Sequence, residues 1–150
     1  MGLARRAVVA MAAAVLPVLL AACGAGDPPE IRLRAAVESL QAAIEARQGD
    51  RIGDFLAADF IGPQAMDRDA VLRMARLSFL RYRAVGVSVV GPLDVEMQGG
   101  DHARVRFDAA LTGGSGALLP DSARVWSVDT GWRLEDGDWR MVSAEWTPRL

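Results

Sequence analysis

Two hydrophobic periodicities run along this chain, a helical one before Tyr82 and an alternating one after it. From Glu30 to Arg47 the apolar residues Leu33, Val37, Leu40 and Ile44 recur every three or four positions, with Ala36 and Ala43 in the same stripe. That spacing predicts an amphipathic helix over 30–47 with one face buried. Gly49 is its expected left-handed stop, and Asp50 the expected cap of the next helix. Ile52, Phe55, Leu56 and Phe60 predict that second, shorter helix over 51–60, ended by Gly62-Pro63. Asp67 stands where a side chain can accept from the free amides of a third helix, and Met66 and Val71 have the spacing of a hydrophobic staple. Leu72, Ala75, Phe79 and Tyr82 share one side of that helix while Arg73, Arg76 and Arg83 point away, the pattern of a lid with a solvated arginine edge.

Beyond Tyr82 the period becomes two. Val85, Val87 and Val89 alternate with small residues, and Leu93, Val95 and Met97 alternate with Asp94 and Glu96. Gly91-Pro92 between them demands a kink or bulge. Gln98-Gly99-Gly100-Asp101 turns the chain into Ala103, Val105, Phe107, Ala109 and Leu111, whose alternating partners are His102, Arg104, Arg106 and Asp108, so a half-buried antiparallel hairpin is expected. Residues 112–120 are glycine-rich and read as a mobile loop. Strand signal resumes over 124–129, continues through 132–135, turns at Asp136-Gly137 and returns over 139–146; Asp-Gly between two such runs is a hairpin signal. Three helices followed by long antiparallel strands predict an α+β fold, with the three N-terminal helices packed on one face of a curved antiparallel sheet.

The region before Glu30 has a different character. Arg5 and Arg6 precede an uncharged run from Ala7 to Leu20, which closes on Leu20-Ala21-Ala22-Cys23. A positive start, a short apolar stretch and small residues before a cleavage point make a secretion signal over 1–22, and the run is shorter than the roughly 20 residues a membrane span requires. Leu-Ala-Ala-Cys resembles the lipobox of bacterial lipoproteins, which implies diacylglyceryl attachment at Cys23 and further acylation of its amino group. Residues 23–29 read as a tether and 30–150 as one domain. The expected partner of the anchor is a membrane of the cell envelope; Gly24 after the cysteine favours the periplasmic face of the outer membrane in a host with two membranes. General secretion fits the leader better than the twin-arginine route, since the residues after Arg5-Arg6 match that route poorly.

Cleavage would remove two arginines and leave 15 against 19 acidic residues, a formal charge of −4. That balance argues against nucleic-acid binding. One histidine, one cysteine and no clustered acids argue against a metal site, and no cofactor motif is present. Ser115 in Gly113-Gly114-Ser115-Gly116 lacks the lysine of a phosphate loop and the flanks of a nucleophile elbow, so it reads as loop.

The order of elements resembles the nuclear transport factor 2-like superfamily over Glu30 to Trp146. The resemblance is carried by Phe55-Leu56-Ala57-Ala58-Asp59-Phe60, read as helical, and by the ending from Trp132 to Trp146 with its Glu135-Asp136-Gly137-Asp138 turn. It implies a cone with a hollow between sheet and helices, a fold that hosts isomerases, dehydratases, polyketide cyclases and transport adaptors alike. An isomerase of this kind needs a carboxylate base and a tyrosine; Tyr82 is the one tyrosine, and Asp59 and Asp108 are the acids to test. Asp59 at a helix end and Asp108 on a solvated strand face are the plainer readings. His102 follows a turn and should be exposed, which disfavours a histidine-based dehydratase. Arg124-Val125-Trp126 is similar to a segment of the association domain of the calcium/calmodulin-dependent kinase, and implies an anion site if Arg106 and Arg124 both point inward. Otherwise they pair with acids such as Asp108 outside.

Trp126, Trp132, Trp139 and Trp146 crowd the last quarter of the chain. Strict alternation cannot put them all on one face, so apolar surface is expected on both, with a homodimer through the sheet as one way to cover the outer side. The pocket candidates are therefore Tyr82, Arg106, Arg124 and Trp126, with no catalytic set identified. Together these residues favour a lipid-anchored, non-catalytic domain binding a small anionic ligand or a protein partner. Its rivals are an isomerase, cyclase or dehydratase using the cone, and an immunity or assembly lipoprotein acting through the outer sheet face.

Overall fold

The computed structural model describes residues 26–115 and 122–149. The segment 1–22 read as a secretion signal, the expected lipidation site Cys23 and part of the glycine-rich stretch lie outside the described residues. Helix α1 spans Pro29–Glu45, α2 Gly49–Asp54 and α3 Arg68–Arg81; strands are β1 Leu56–Ile61, β2 Ala84–Gln98, β3 His102–Gly114, β4 Ser122–Glu135 and β5 Asp138–Pro148. One five-stranded sheet has the order β1-β5-β4-β3-β2, antiparallel except for the parallel pair β1 and β5. The fold is α+β, with helices gathered at the N-terminal side of a curved sheet.

Helix α1 starts at Pro29, inside the segment read as tether, because a proline in the first turn lacks only an amide that would go unpaired anyway. It buries Leu33, Val37 and Ala43. Its polar side runs along the free edge of β2. The Arg34 guanidinium donates to Leu93 O (3.2 Å), Gln41 Nε2 donates to Val87 O (2.7 Å), and Val87 N donates to Glu45 Oε1 (3.1 Å). The helix thereby occupies strand groups that would otherwise offer a template for another chain. Its left-handed stop is Arg47 (φ 55°), not Gly49, which instead opens α2. Asp50 caps nothing; it pairs with Arg76 at 3.2 Å.

The segment 51–60 is not one helix. The chain leaves α2 after Asp54 and continues as β1, whose backbone joins β5 through Met141 N donating to Phe55 O (2.7 Å). Spacing of Ile52, Leu56 and Phe60 fits a helix, but β5 offers an open edge far away in sequence, and tertiary pairing overrides local period. Arg68 fastens the join by donating to Gly53 O (2.8 Å) and Leu56 O (3.4 Å). Asp67 caps α3 as expected, accepting from Ala70 N at 2.8 Å.

Turn chemistry follows the sequence closely. Asp136 (φ 49°) and Gly137 (φ 85°) both take positive φ in the two-residue turn between β4 and β5. Gly91 (φ 76°) sits in the bulge of β2, where Val90 faces Asp108 but Asp94 faces Arg106. Two extra residues there keep the alternation in phase, so Val87, Val89 and Val95 all remain on the inner face. Strand β3 continues to Gly114, into the stretch read as loop, because β2 and β4 pair with it on both sides there.

A second bulge reverses the phase of β5. Gly131 pairs with Ser143 and Trp132 with Met141, leaving Val142 as an extra residue. Trp139 and Met141 before the bulge, and Ala144 and Trp146 after it, therefore all face inward, opposite Leu134, Trp132, Thr130 and Val128. All four tryptophans lie on one face, which corrects the expectation of apolar surface on both sides and removes its argument for a covering partner. Trp132 (1% exposed) is the largest wholly buried side chain, beside Phe60, Leu33 and Val105; burial of each contributes about 1.5–3 kcal/mol. Trp139 packs at the narrow end, with Nε1 donating to Pro29 O at 3.0 Å.

Candidate functional site: an apolar cone with a cationic mouth

Between helices and inner sheet face lies a cavity of about 630 Å³. Its deep part is made by Ile52, Leu56, Phe60 and Val71 together with Trp132, Met141 and Ala144. Val37, Leu40 and Ile44 of α1 form one wall; Phe107, Ala109, Val128 and Trp146 form the facing sheet wall. These positions are apolar because the two periods of the sequence bring the helical stripe and the odd or even strand positions to the same space.

Polar groups deep in the cone are already bonded. Thr130, 2% exposed, donates its hydroxyl proton to Val105 O (3.0 Å) and accepts from Trp132 Nε1 (2.8 Å). Gln41 is engaged with the edge of β2, and Ser78 Oγ donates to Met74 O at 3.0 Å. No aspartate, glutamate or histidine lines the cavity among the described residues.

The wide end differs. Arg81 and Tyr82, at the close of α3, face it together with Thr112 and Gly113 from β3 and Ser122 and Arg124 from β4. Tyr82 lies just past the helix in extended conformation (φ −113°, ψ 121°), so the helix ends by turning its ring toward the sheet. The ring rests on the backbone of Gly113, where a Cβ would come within 2.8 Å of it. The Arg81 guanidinium stands 5.4 Å from the centre of the same ring, a cation–π distance. Neither Arg81 nor Arg124 has a carboxylate partner among the described residues, in contrast with the arginines of the outer sheet face.

Of the four pocket candidates, three reach the cavity: Tyr82, Arg124 and Trp126. Arg106 does not. It alternates with inward Val105 and Phe107, projects from the outer face, and pairs with Asp94 (3.1 Å) and Glu96 (3.4 Å). Asp108 is likewise outside, accepting from Ser127 Oγ (2.8 Å) and paired with Arg149. Asp59 is exposed on β1 and pairs with Arg133 at 2.8 Å. An acid and base set of Tyr82 with Asp59 or Asp108 is therefore not assembled. His102 is exposed beside Asp101 (2.9 Å). Arg81 is the mouth residue that sequence reading missed. Its only signal is its place in the last helical turn, next to Tyr82.

The outer face is an ionic lattice. Arg104 bonds Asp129 (2.8 Å from Nε), and Arg133 bridges Asp59 and Glu135. Hydrogen bonding from Arg133 holds the Asp59 carboxyl below its ordinary range, as Arg104 does for Asp129. The Arg133 guanidinium is correspondingly harder to deprotonate, chiefly through its bond to Asp59.

No protein-family profile matches the sequence, and no curated protein matches it. Solved structures do. The chain superposes on a nuclear transport factor 2-like superfamily protein from Salmonella enterica (TM-score 0.69, 11% identity, 81% of this chain and 92% of that one). It also superposes on a candidate scytalone dehydratase from Novosphingobium aromaticivorans (TM-score 0.72, 13% identity, 81% and 84%). A third likeness is to Bd1075 of Bdellovibrio bacteriovorus (TM-score 0.68, 14% identity, 78% of this chain), of which the chain spans only 40%. At these identities the likeness is one of fold: the chain has the nuclear transport factor 2-like cone.

Proposed function

We propose that the cone binds, without chemical turnover, a small and largely apolar ligand that carries an anionic group. The carrying observation is the division of the cavity, apolar throughout its depth and lined by no carboxylate or imidazole among the described residues, with Arg81 and Arg124 at its mouth. An apolar body gains by leaving water, while a guanidinium at the rim meets an anionic end without its own burial. The anilinonaphthalene sulfonate dye has this form and serves as a probe. It should bind with energy transfer from Trp126, Trp132 and Trp146, which line the cavity. Arg81→Ala and Arg124→Ala should each weaken it roughly fivefold, the worth of a partly exposed charge pair. Unchanged affinity in both variants removes the anion site; absence of binding removes the ligand reading.

The leader and Leu-Ala-Ala-Cys support a second element of the proposal, that the domain is held to a membrane of the cell envelope through an acylated Cys23. The mass of the chain extracted from membranes tests it. An intact leader, or an unmodified cysteine, rejects the anchor.

A further inference from the structure

Helix α3 forms one wall of the cone with Ala75, Ser78 and Phe79, and its opposite side is open to solvent. That open side is not the polar surface expected of a solvated lid. Leu77 is 66% exposed and Leu80 83% exposed, with Met74 also exposed, at three-residue intervals along the helix. Arg73, Arg76, Arg81 and Arg83 are interleaved with them and are exposed as well. From Ala70 to Leu93 the sequence has these four arginines and no acidic residue, although acids outnumber bases over the chain as a whole. Only Arg76 of the four has an ion pair among the described residues, to a fully exposed Asp50.

We propose that this face of α3 docks on an anionic lipid surface, Leu77 and Leu80 entering the interface and the arginines lying among the headgroups. Large exposed leucines alternating with arginine on one side of a helix match the needs of a helix lying in the plane of a membrane. The long arginine stems can cover apolar surface while their guanidinium groups stay at headgroup level. Charge selects the occupant: a concentrated positive face on a net negative protein is drawn to an anionic surface. Because Met74 and Arg81 also border the cavity, docking would bring the cone's mouth to the bilayer. The proposal goes beyond the ligand reading and does not depend on it.

Hydrogen exchange on the full chain, mixed with vesicles of phosphatidylglycerol or of phosphatidylcholine, tests the proposal while any anchor is held constant. Amides across Arg73–Arg81 should exchange roughly tenfold more slowly on the anionic vesicles only, and added salt should relieve the effect. Leu77→Glu with Leu80→Glu should abolish the protection; both side chains are exposed, and an unchanged melting temperature verifies the fold. Arg73→Gln with Arg83→Gln should reduce it without touching the apolar residues. Equal exchange on both vesicle types overturns the proposal. So does protection that grows with protein concentration in the absence of vesicles, which would assign this face to another copy of the chain.

Discussion

Thr130 illustrates how much a single hydroxyl decides in this core. It is buried between Val105 O and Trp132 Nε1 and satisfies both. Thr130→Val keeps the shape but leaves the Trp132 indole N–H without its partner, while Val105 O, paired within the sheet, loses a second donor. Urea unfolding should show a loss of about 1–3 kcal/mol, whereas Thr130→Ser, which keeps the hydroxyl, should lose less. A larger loss in Thr130→Ser than in Thr130→Val would mean that packing of the methyl group, not bonding, sets the cost. The sequence offered Thr130 only as part of a break between strand segments. Its role depends on Val105, which the register of β3 and β4 brings alongside.

Among the elements, α3 was the most legible and the path from α2 to β1 the least. The Asp67 cap, the apolar side and the arginine edge of α3 are all local features. Asp67→Ala should cost about 1 kcal/mol in a denaturation series, the usual worth of such a cap; no change would place the helix start under tertiary control. The segment 55–60 followed a partner strand 85 residues ahead in the register of Leu56 with Met141, and no local period reports that. Strand β5 makes a complementary case. Its bulge adds Val142 and turns Trp146 to the same side as Trp139. Deleting Val142 would force one pair of inward residues, Trp139 and Met141 or Ala144 and Trp146, to the outer face. Loss of cooperative unfolding, followed by tryptophan fluorescence, is the expected outcome; a native-like transition would show that the register can slip without cost.

Charge is organised by region, with pairs on the outer sheet face and, at the cone's wide end, Arg81 and Arg124, which have no carboxylate partner among the described residues. The paired carboxylates give a pH dependence of known sign. Asp59 and Asp129 have folded values lowered by Arg133 and Arg104, so the folded state binds fewer protons than the unfolded chain in mild acid. Their contribution is fully present above the ordinary carboxylate value of about 4 and is lost as pH falls through the lowered folded values. The urea midpoint should therefore hold between neutrality and about pH 5 and decline below about pH 4. Asp129→Asn should make that decline shallower; an unaltered slope would mean that the Arg104 pair adds nothing to stability.

Local patterning specified the α+β class, the capped third helix, the Asp-Gly and Gly-Gly turns and the inward sets of β2 and β3, because period, caps and positive φ are properties of a few neighbouring residues. The family resemblance suggested Tyr82, Arg124 and Trp126 as candidates but could not separate Arg124, at the mouth, from Arg106, in the outer lattice. That distinction, the strand identity of 56–61 and the gathering of four tryptophans inside the cone come from register and bulges. Those arise when strands distant in sequence compete for one another's edges, and no window of neighbouring residues contains that competition.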